Sequence, residues 1–265
     1  MLIIGEKINT SRKGLKEAVE NKEEAFIRSL AKRQVEAGAD YIDVNCGTFV
    51  AEEPEYLKWL VEMVQDELNG VPLCIDSPSA VAMEAALKVH QGRAIINSIS
   101  GEKKRFDAFL PLVKKYDCKV ILLCMDDSGI PEDAETRFKI ASQVIDLLKK
   151  EGIRHDDIYV DPLIQPVSVS TKNGFSAAKT IQMVRDCYPA VHAVCGLSNI
   201  SYGLPRRKIL NRAYLVICAY NGLDAVIIDP EDRGMMEMVY ASETLLDRDP
   251  YCSGYLNAYR KGILG

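Results

Sequence analysis

Short, almost continuously apolar stretches alternate with longer amphipathic ones along the whole chain. The short stretches are rich in β-branched residues and resemble parallel strands that are covered on both faces. Eight strands are predicted, at residues 2–6, 41–45, 73–76, 94–98, 119–125, 158–161, 192–197 and 225–229.

The stretches between the predicted strands have helical periodicity. Ile27, Leu30, Ala31 and Val35 form one apolar stripe, and Gly38 follows it as a C-terminal cap would. Extra length precedes the second strand and follows the eighth, where there is room for two helices.

Eight strand–helix units in 265 residues predict a single (β/α)8 TIM barrel that spans residues 1–265 as one domain. An open doubly wound sheet is the alternative, but it would usually carry a glycine-rich phosphate loop after its first strand. That position reads GEKINTSRKG and contains no G-x-G-x-x-G motif.

Composition narrows the classes of partner. The formal net charge is −5, and the one dense basic cluster, Arg206 to Lys208, is too short for a nucleic-acid footprint. No apolar run is long enough for a membrane span. The N-terminal MLIIGEKIN is expected to be a strand and not a signal peptide, which favours a cytoplasmic protein.

The thiols and imidazoles do not suggest a metal. None of the eight cysteines forms a C-x-x-C pair, and free buried thiols in a reducing cytosol fit better than disulfides. The three histidines are scattered, so no protein-bound metal is predicted.

Polar side chains end nearly every predicted strand. In a parallel barrel these ends meet at one face, where catalytic residues collect. The set comprises Glu6, Asp43, Asn45, Asp76, Asn97, Asp126, Asp127, Asp161, Ser198, Asn199 and Asp229. Carboxylates and amides suit either a divalent cation or a donor-rich heterocycle such as a pterin or guanine. We favour the heterocycle, because a metal site would more often include histidine.

Each of these residues also has a purely structural interpretation. A strand-end aspartate can cap the next helix or begin a turn. For Asp126 and Asp127 a polar turn is the preferred prediction. The argument for a site depends on the whole set and not on any one member.

The motifs IGEKIN (4–9), DVNCG (43–47), IDS (75–77), INSIS (96–100), DPL (161–163) and GLSNISYG (196–203) follow one another at the strand ends. Together with RKILNRAYL (207–215) they resemble the pterin-binding methyltransferases. This family includes the methyltetrahydrofolate:corrinoid/iron-sulfur protein methyltransferases and the folate domain of cobalamin-dependent methionine synthase. The resemblance runs the full length of the chain.

The resemblance implies a barrel, often a homodimer, that binds tetrahydrofolate or 5-methyltetrahydrofolate. A methyl group would pass between the pterin nitrogen N5 and the cobalt of a corrinoid (cobalamin) carried on a partner protein. By position, Asn199 matches the residue placed against N5. The positions that match substrate-binding residues or the floor of the site are Glu6, Asp43, Asn45, Asp76, Asn97, Asp161, Gly196, Ser198, Arg207 and Ile227.

Two other functions stay open. Dihydropteroate synthase shares the barrel and the pterin site, although GLSNISYG fits the methyltransferases better. The second alternative function is that of a non-catalytic pterin-binding subunit of a corrinoid complex. For a methyltransferase, two directions of transfer are open: from folate to corrinoid, as in acetogenesis, or from corrinoid to folate, as in a demethylase system.

Overall fold

The computed structural model describes residues 1–264 and contains one eight-stranded parallel sheet in the order β7-β6-β5-β4-β3-β2-β1-β8. The strands are β1 (Leu2–Asn9), β2 (Tyr41–Asn45), β3 (Leu73–Asp76), β4 (Ile95–Gly101), β5 (Lys119–Asp126), β6 (Ile158–Asp161), β7 (His192–Ala193) and β8 (Ala225–Ile228). A β-bridge between Gly196 and Ile227 joins the continuation of β7 to β8, so the sheet closes into the predicted (β/α)8 barrel.

Helices cover the outside of the barrel. They are α1 (Leu15–Glu20), α2 (Glu24–Glu36), α3 (Glu53–Glu67), α4 (Ala80–Leu87), α5 (Lys103–Lys115), α6 (Ala134–Lys150), α7 (Asn173–Cys187), α8 (Arg207–Tyr220), α9 (Arg233–Leu245) and α10 (Ser253–Arg260). Two helices follow β8, as predicted, and the extra length before β2 also contains two helices. Within residues 1–264 no helix is long and apolar enough to cross a membrane.

Local sequence sets the helix ends. Ser79 accepts a hydrogen bond from the backbone N–H of Ala82 at 3.2 Å and caps α4. Asp133 caps α6 in the same way through Thr136 at 2.7 Å. Gly38 follows α2 with a φ of 107°, a backbone conformation that side chains with a Cβ rarely adopt.

The strands separate two cores because successive side chains point to opposite faces. The outer core lies between sheet and helices and contains residues such as Ile42 and Val44. The inner core fills the barrel with one side chain from each strand or its continuation. Its members are Ile4, Tyr41, Cys74, Ile95, Ile121, Tyr159, Val194 and Ala225.

Several predicted strand limits are wrong. The seventh was expected over 192–197, but β7 ends at Ala193 and residues Leu197–Ser201 form a 3₁₀ helix. The chain therefore turns out of the sheet before Asn199. β1 and β4 are longer than predicted, since each continues past a register shift. Limits for β2, β3 and β6 agree with the prediction.

Candidate pterin-binding site

Seven of the eleven predicted site residues, and one residue that was not predicted, share a simple placement in the barrel. Each lies two positions after a residue of the inner core on the same strand or its continuation, and so points to the same interior face nearer the C-terminal mouth. These positions are Glu6, Asp43, Asp76, Asn97, Leu123, Asp161, Gly196 and Ile227. Leu123 is the member that the search for polar strand ends missed, because it is apolar.

Asp76 and Asn45 form the best-defined pair at this mouth. They lie opposite each other on β3 and β2, and the Asn45 amide donates to Asp76 Oδ2 at 2.8 Å. Asn45 Oδ1 accepts the Gly47 backbone N–H at 3.0 Å, which determines which way the amide points. Burial raises the pKa of Asp76, while the Asn45 bond and the nearby Arg105 guanidinium oppose that rise.

Asp43 lies deeper than Asp76 and is only 3% exposed. Burial and the neighbouring Asp76 carboxylate raise its pKa well above the ordinary value. Asn97 Nδ2 donates to Asp43 Oδ1 across 3.4 Å. Asn97 also pairs in register with Asp76, so one amide and two carboxylates lie on adjacent strands. Protonation of Asp43 near neutral pH is therefore less costly than for an exposed aspartate.

Asp161 ends β6 on the opposite side of the mouth. Its Oδ1 accepts the Leu163 backbone N–H at 2.7 Å, which begins a turn and does not cap a helix. Burial raises the pKa of Asp161 to about 6, against that hydrogen bond and the positive charge of Arg137. A carboxylate has lone pairs beyond the one occupied here, so Asp161 can accept hydrogen bonds from a ligand.

Asn199 sits on the 3₁₀ helix that replaces the end of the predicted seventh strand, and its side chain is exposed. A Cβ on Gly196 would lie 3.8 Å from Asn199 Nδ2, so the two residues are close neighbours. Arg207 donates from Nη2 to the Ser198 carbonyl oxygen at 2.6 Å and from Nε to the Ser201 hydroxyl at 3.0 Å. The guanidinium of Arg207 is thus bonded to the segment that carries Asn199.

Glu6 and Ile227 complete the interior positions. Burial raises the pKa of Glu6, although Arg12 contacts its Oε1 at 3.1 Å. Ile227 is half-buried against the inner core. Asp229 lies further out and forms an ion pair with Lys7 at 3.1 Å.

The turn predicted at Asp126 and Asp127 is confirmed for Asp126. Its Oδ1 accepts the backbone N–H of Ser128 at 2.9 Å, and this bond and the Ser128 hydroxyl lower its pKa. The strand-end aspartates therefore differ in pKa, which is raised for Asp43, Asp76 and Asp161 and lowered for Asp126.

Three charged residues near the site were not predicted. Arg105 on α5 donates to the Ser98 carbonyl oxygen at 2.8 Å, and buried Glu53 accepts from the Ser77 hydroxyl at 2.6 Å. Arg137 on α6 is fully buried and donates to the Pro131 carbonyl oxygen at 2.8 Å. Both arginines lie in the first turn of a helix, where the helix dipole disfavours cations. That mismatch alone does not single them out in the sequence, because Lys103 and Lys104 share the first turn of α5 with Arg105.

The mouth can accept several hydrogen bonds from one flat ligand. The half-buried carboxylates Asp76 on β3 and Asp161 on β6 suit the amine and ring N–H groups of a 2-amino-4-oxo heterocycle. Among residues 1–264 no group of three or more His, Cys, Asp or Glu side chains is arranged to hold a metal ion. All eight cysteines are free thiols, and six of them are buried.

Comparisons with known proteins agree with this geometry. The profile of the pterin binding enzymes matches residues 8–229. The chain is 37% identical to a methylcorrinoid:tetrahydrofolate methyltransferase of Eubacterium limosum, over 100% of this chain and 98% of that protein. It is 28% identical to the methionine synthase of Mycobacterium tuberculosis over 86% of this chain and 20% of the synthase.

Solved structures show the same fold at lower identity. A dihydropteroate synthase from Xanthomonas albilineans with bound 7,8-dihydropteroate superposes with a TM-score of 0.69 at 18% identity, over 92% of this chain and 93% of that one. The synthase from Vibrio fischeri gives a TM-score of 0.67 at 17% identity, over 94% of each chain. At such identities the likeness concerns the fold alone.

Proposed function

The chain belongs to the pterin-binding enzyme family, and from that membership we propose that it moves a methyl group between N5 of tetrahydrofolate and the cobalt of a corrinoid carried by a separate protein. The observation that carries the proposal is the end-to-end likeness to a methylcorrinoid:tetrahydrofolate methyltransferase. The carboxylates and amides that converge at the barrel mouth support it, because they match the donors of a pterin ring.

In this proposal Asp76, Asn97 and Asp161 hold the pterin ring, while Asn45 orients Asp76. Gly196 and Ile227 form the wall beside the ring, and Asp43 and Glu6 form the floor. The protein supplies no nucleophile and acts through positioning and electrostatics. The corrinoid is a substrate delivered by its own carrier.

The step itself is an in-line displacement. From 5-methyltetrahydrofolate, the N5–methyl bond breaks, its electron pair remains on nitrogen, and N5 takes up a proton. The cobalt–methyl bond forms with the electron pair of Co(I), which becomes Co(III). Asn199 has the role of hydrogen-bonding N5 more strongly as positive charge develops there. In this proposal water supplies the proton, through a network that ends on carboxylates such as Asp43 or Asp76.

The direction that we favour runs from methylcorrinoid to tetrahydrofolate, as the name of the Eubacterium limosum relative states for that protein. N5 then attacks the methyl group on Co(III) and afterwards loses its proton. The same groups serve both directions, since the transition state is shared. A cytoplasmic location is supported by the six buried free thiols.

The decisive assay adds tetrahydrofolate to the purified protein and methylcob(III)alamin without oxygen and records the visible spectrum. We expect conversion to cob(I)alamin, with formation of 5-methyltetrahydrofolate in equal amount. A dihydropteroate synthase would leave the spectrum unchanged and would join a pterin pyrophosphate to 4-aminobenzoate. A non-catalytic subunit would bind tetrahydrofolate and carry out neither reaction. Either result would contradict the proposed function.

The homodimer that the family resemblance implies has a candidate surface on α8. Its outward face carries Ile209, Val216, Ile217 and Tyr220, which are 41–77% exposed. These positions follow helical spacing, so they form one apolar stripe on a helix that would otherwise face water.

Next to this stripe, α7 and α8 leave a groove of about 520 Å³. Small residues on α7, Gly174 and Ala178, line it together with Tyr214. Phe175 projects beside the groove and is 76% exposed. A projecting ring and a groove on one surface are what a two-fold interface requires, so we propose that a second copy of this chain packs there.

Replacement of Ile217 by lysine is expected to shift the protein from twice its 29.5 kDa chain mass to that mass in light scattering. The charge would lie within the apolar stripe and leave the partner without a matching group. Phe26→Lys on α2, where the side chain is 46% exposed, is the control and should leave the mass unchanged. A wild-type mass equal to that of one chain would contradict the dimer.

A further inference from the structure

The loop between β6 and α7, residues 162–172, packs on the segment that carries Asn199. The backbone N–H of Val167 donates to the Ile200 carbonyl oxygen at 3.0 Å. The Ser168 hydroxyl donates to the Tyr202 carbonyl oxygen at 2.7 Å. The two loops that leave β6 and β7 are therefore joined by hydrogen bonds within three residues of Asn199.

The other side of Asn199 is also bonded. Arg207 donates to the Ser198 carbonyl oxygen at 2.6 Å, and the Ser201 hydroxyl approaches the same oxygen at 3.3 Å. The 3₁₀ helix has only five residues, and so short a helix has few internal bonds to hold its shape. Its geometry therefore depends on these neighbours.

The loop that supplies Ser168 is itself anchored at both ends. It begins at Asp161, whose Oδ1 accepts the Leu163 N–H at 2.7 Å. It ends at α7, where Asn173 Nδ2 donates to the Pro166 carbonyl oxygen at 2.9 Å. A Cβ on Gly203 would lie 3.4 Å from the Ser168 hydroxyl, so the loop and the Asn199 segment approach closely.

We propose that Ser168 is a positioning residue for methyl transfer, because its hydroxyl fixes the segment through which Asn199 reaches N5. The inference rests on the proposed function. The Ser168 hydroxyl donates to the segment that carries Asn199, so in this proposal Ser168 acts through Asn199 and not on the ligand directly. Its loss should therefore change the rate of the step and leave the binding of the pterin ring unchanged.

Ser168→Ala is expected to lower the single-turnover rate of methyl transfer about 3- to 10-fold, the loss of one hydrogen bond. The dissociation constant of tetrahydrofolate should stay within twofold of wild type. Ser168→Thr keeps the hydroxyl and should restore most of the rate. Ser142→Ala is the matched control, because that hydroxyl also donates to a backbone carbonyl, that of Phe138 at 2.9 Å, on the outer helix α6.

The rate in an Asn199→Ala background separates positioning from a general structural role. If Ser168 acts through Asn199, adding Ser168→Ala to the Asn199→Ala variant should lower the rate of methyl transfer less than twofold further. An equal loss in both backgrounds, or a Ser168→Ala rate equal to wild type, would overturn the proposal while leaving the methyltransferase function in place. Wild-type protein without methyl transfer would overturn both.

Discussion

Replacement of Asp161 by alanine is expected to weaken tetrahydrofolate binding about 100- to 1000-fold, measured by calorimetry. A hydrogen bond to a charged group contributes about 1.5–3 kcal/mol, and the expected loss corresponds to two such bonds from the pterin ring near the lower end of that range. Asp126→Ala is the matched control, since Asp126 also ends a strand but only forms an exposed turn. An Asp161→Ala dissociation constant within threefold of wild type would remove Asp161 from the pterin site.

The same carboxylate should make binding depend on pH. The ligand donors need the ionised form, and burial raises the pKa of Asp161 to about 6. Above pH 6 the contribution of Asp161 to the dissociation constant should be flat. Below pH 6 a proton must leave before the ring binds, so the constant should rise about tenfold per pH unit. Asp161→Asn cannot titrate and should lose this step. If the dissociation constant of the Asp161→Asn variant still changed with pH at the same midpoint, the titrating group would be another residue, such as Asp76.

Replacement of Asn199 by alanine is expected to lower the rate of methyl transfer about 5- to 150-fold, which corresponds to about 1–3 kcal/mol. In the mechanism that we propose, this amide hydrogen-bonds N5, and the bond strengthens only as charge develops in the transition state. Binding of tetrahydrofolate should change less than fivefold. Rapid-mixing measurement of the cob(I)alamin spectrum gives the rate, and calorimetry gives the affinity.

Asn257→Ala on α10 serves as the control. The Asn257 amide also forms a hydrogen bond, accepting from the Arg260 guanidinium at 3.4 Å, but it lies on the outside of the barrel. Its rate should equal that of wild type. If Asn199→Ala were equally fast, the bond to N5 would have to come from another group.

The barrel could be predicted because its strands are covered on both faces. Continuous apolar runs such as 41–45 and 158–161 have no other stable place in a chain of this composition, and their limits agree with the structure. The prediction of the seventh strand was less accurate. Residues 194–197 are as apolar as a strand, yet Leu197 starts a 3₁₀ helix whose shape depends on hydrogen bonds from the distant loop 162–172. Such a contact leaves no local pattern.

The polar positions in the barrel mouth could be predicted from the sequence for the same reason. A polar residue that ends an apolar strand must lie at the mouth, as Asp43, Asp76 and Asp161 do. Arg105 and Arg137 could not be recognised by that rule, because they come from helices and reach the site from outside the strands. Their positions follow from packing angles that the one-dimensional pattern does not contain.

The spacing between the inner core and the polar mouth has a consequence for how this protein can change over evolution. Because the two layers are two residues apart on each strand, a deletion of one residue within β2 would turn Asp43 to the helices and Val44 to the ligand. Between the two layers of a strand, substitution therefore keeps this register, whereas insertion or deletion of a single residue does not. Length changes are best tolerated in the loops beyond the mouth, where they leave the interior positions of the barrel in register.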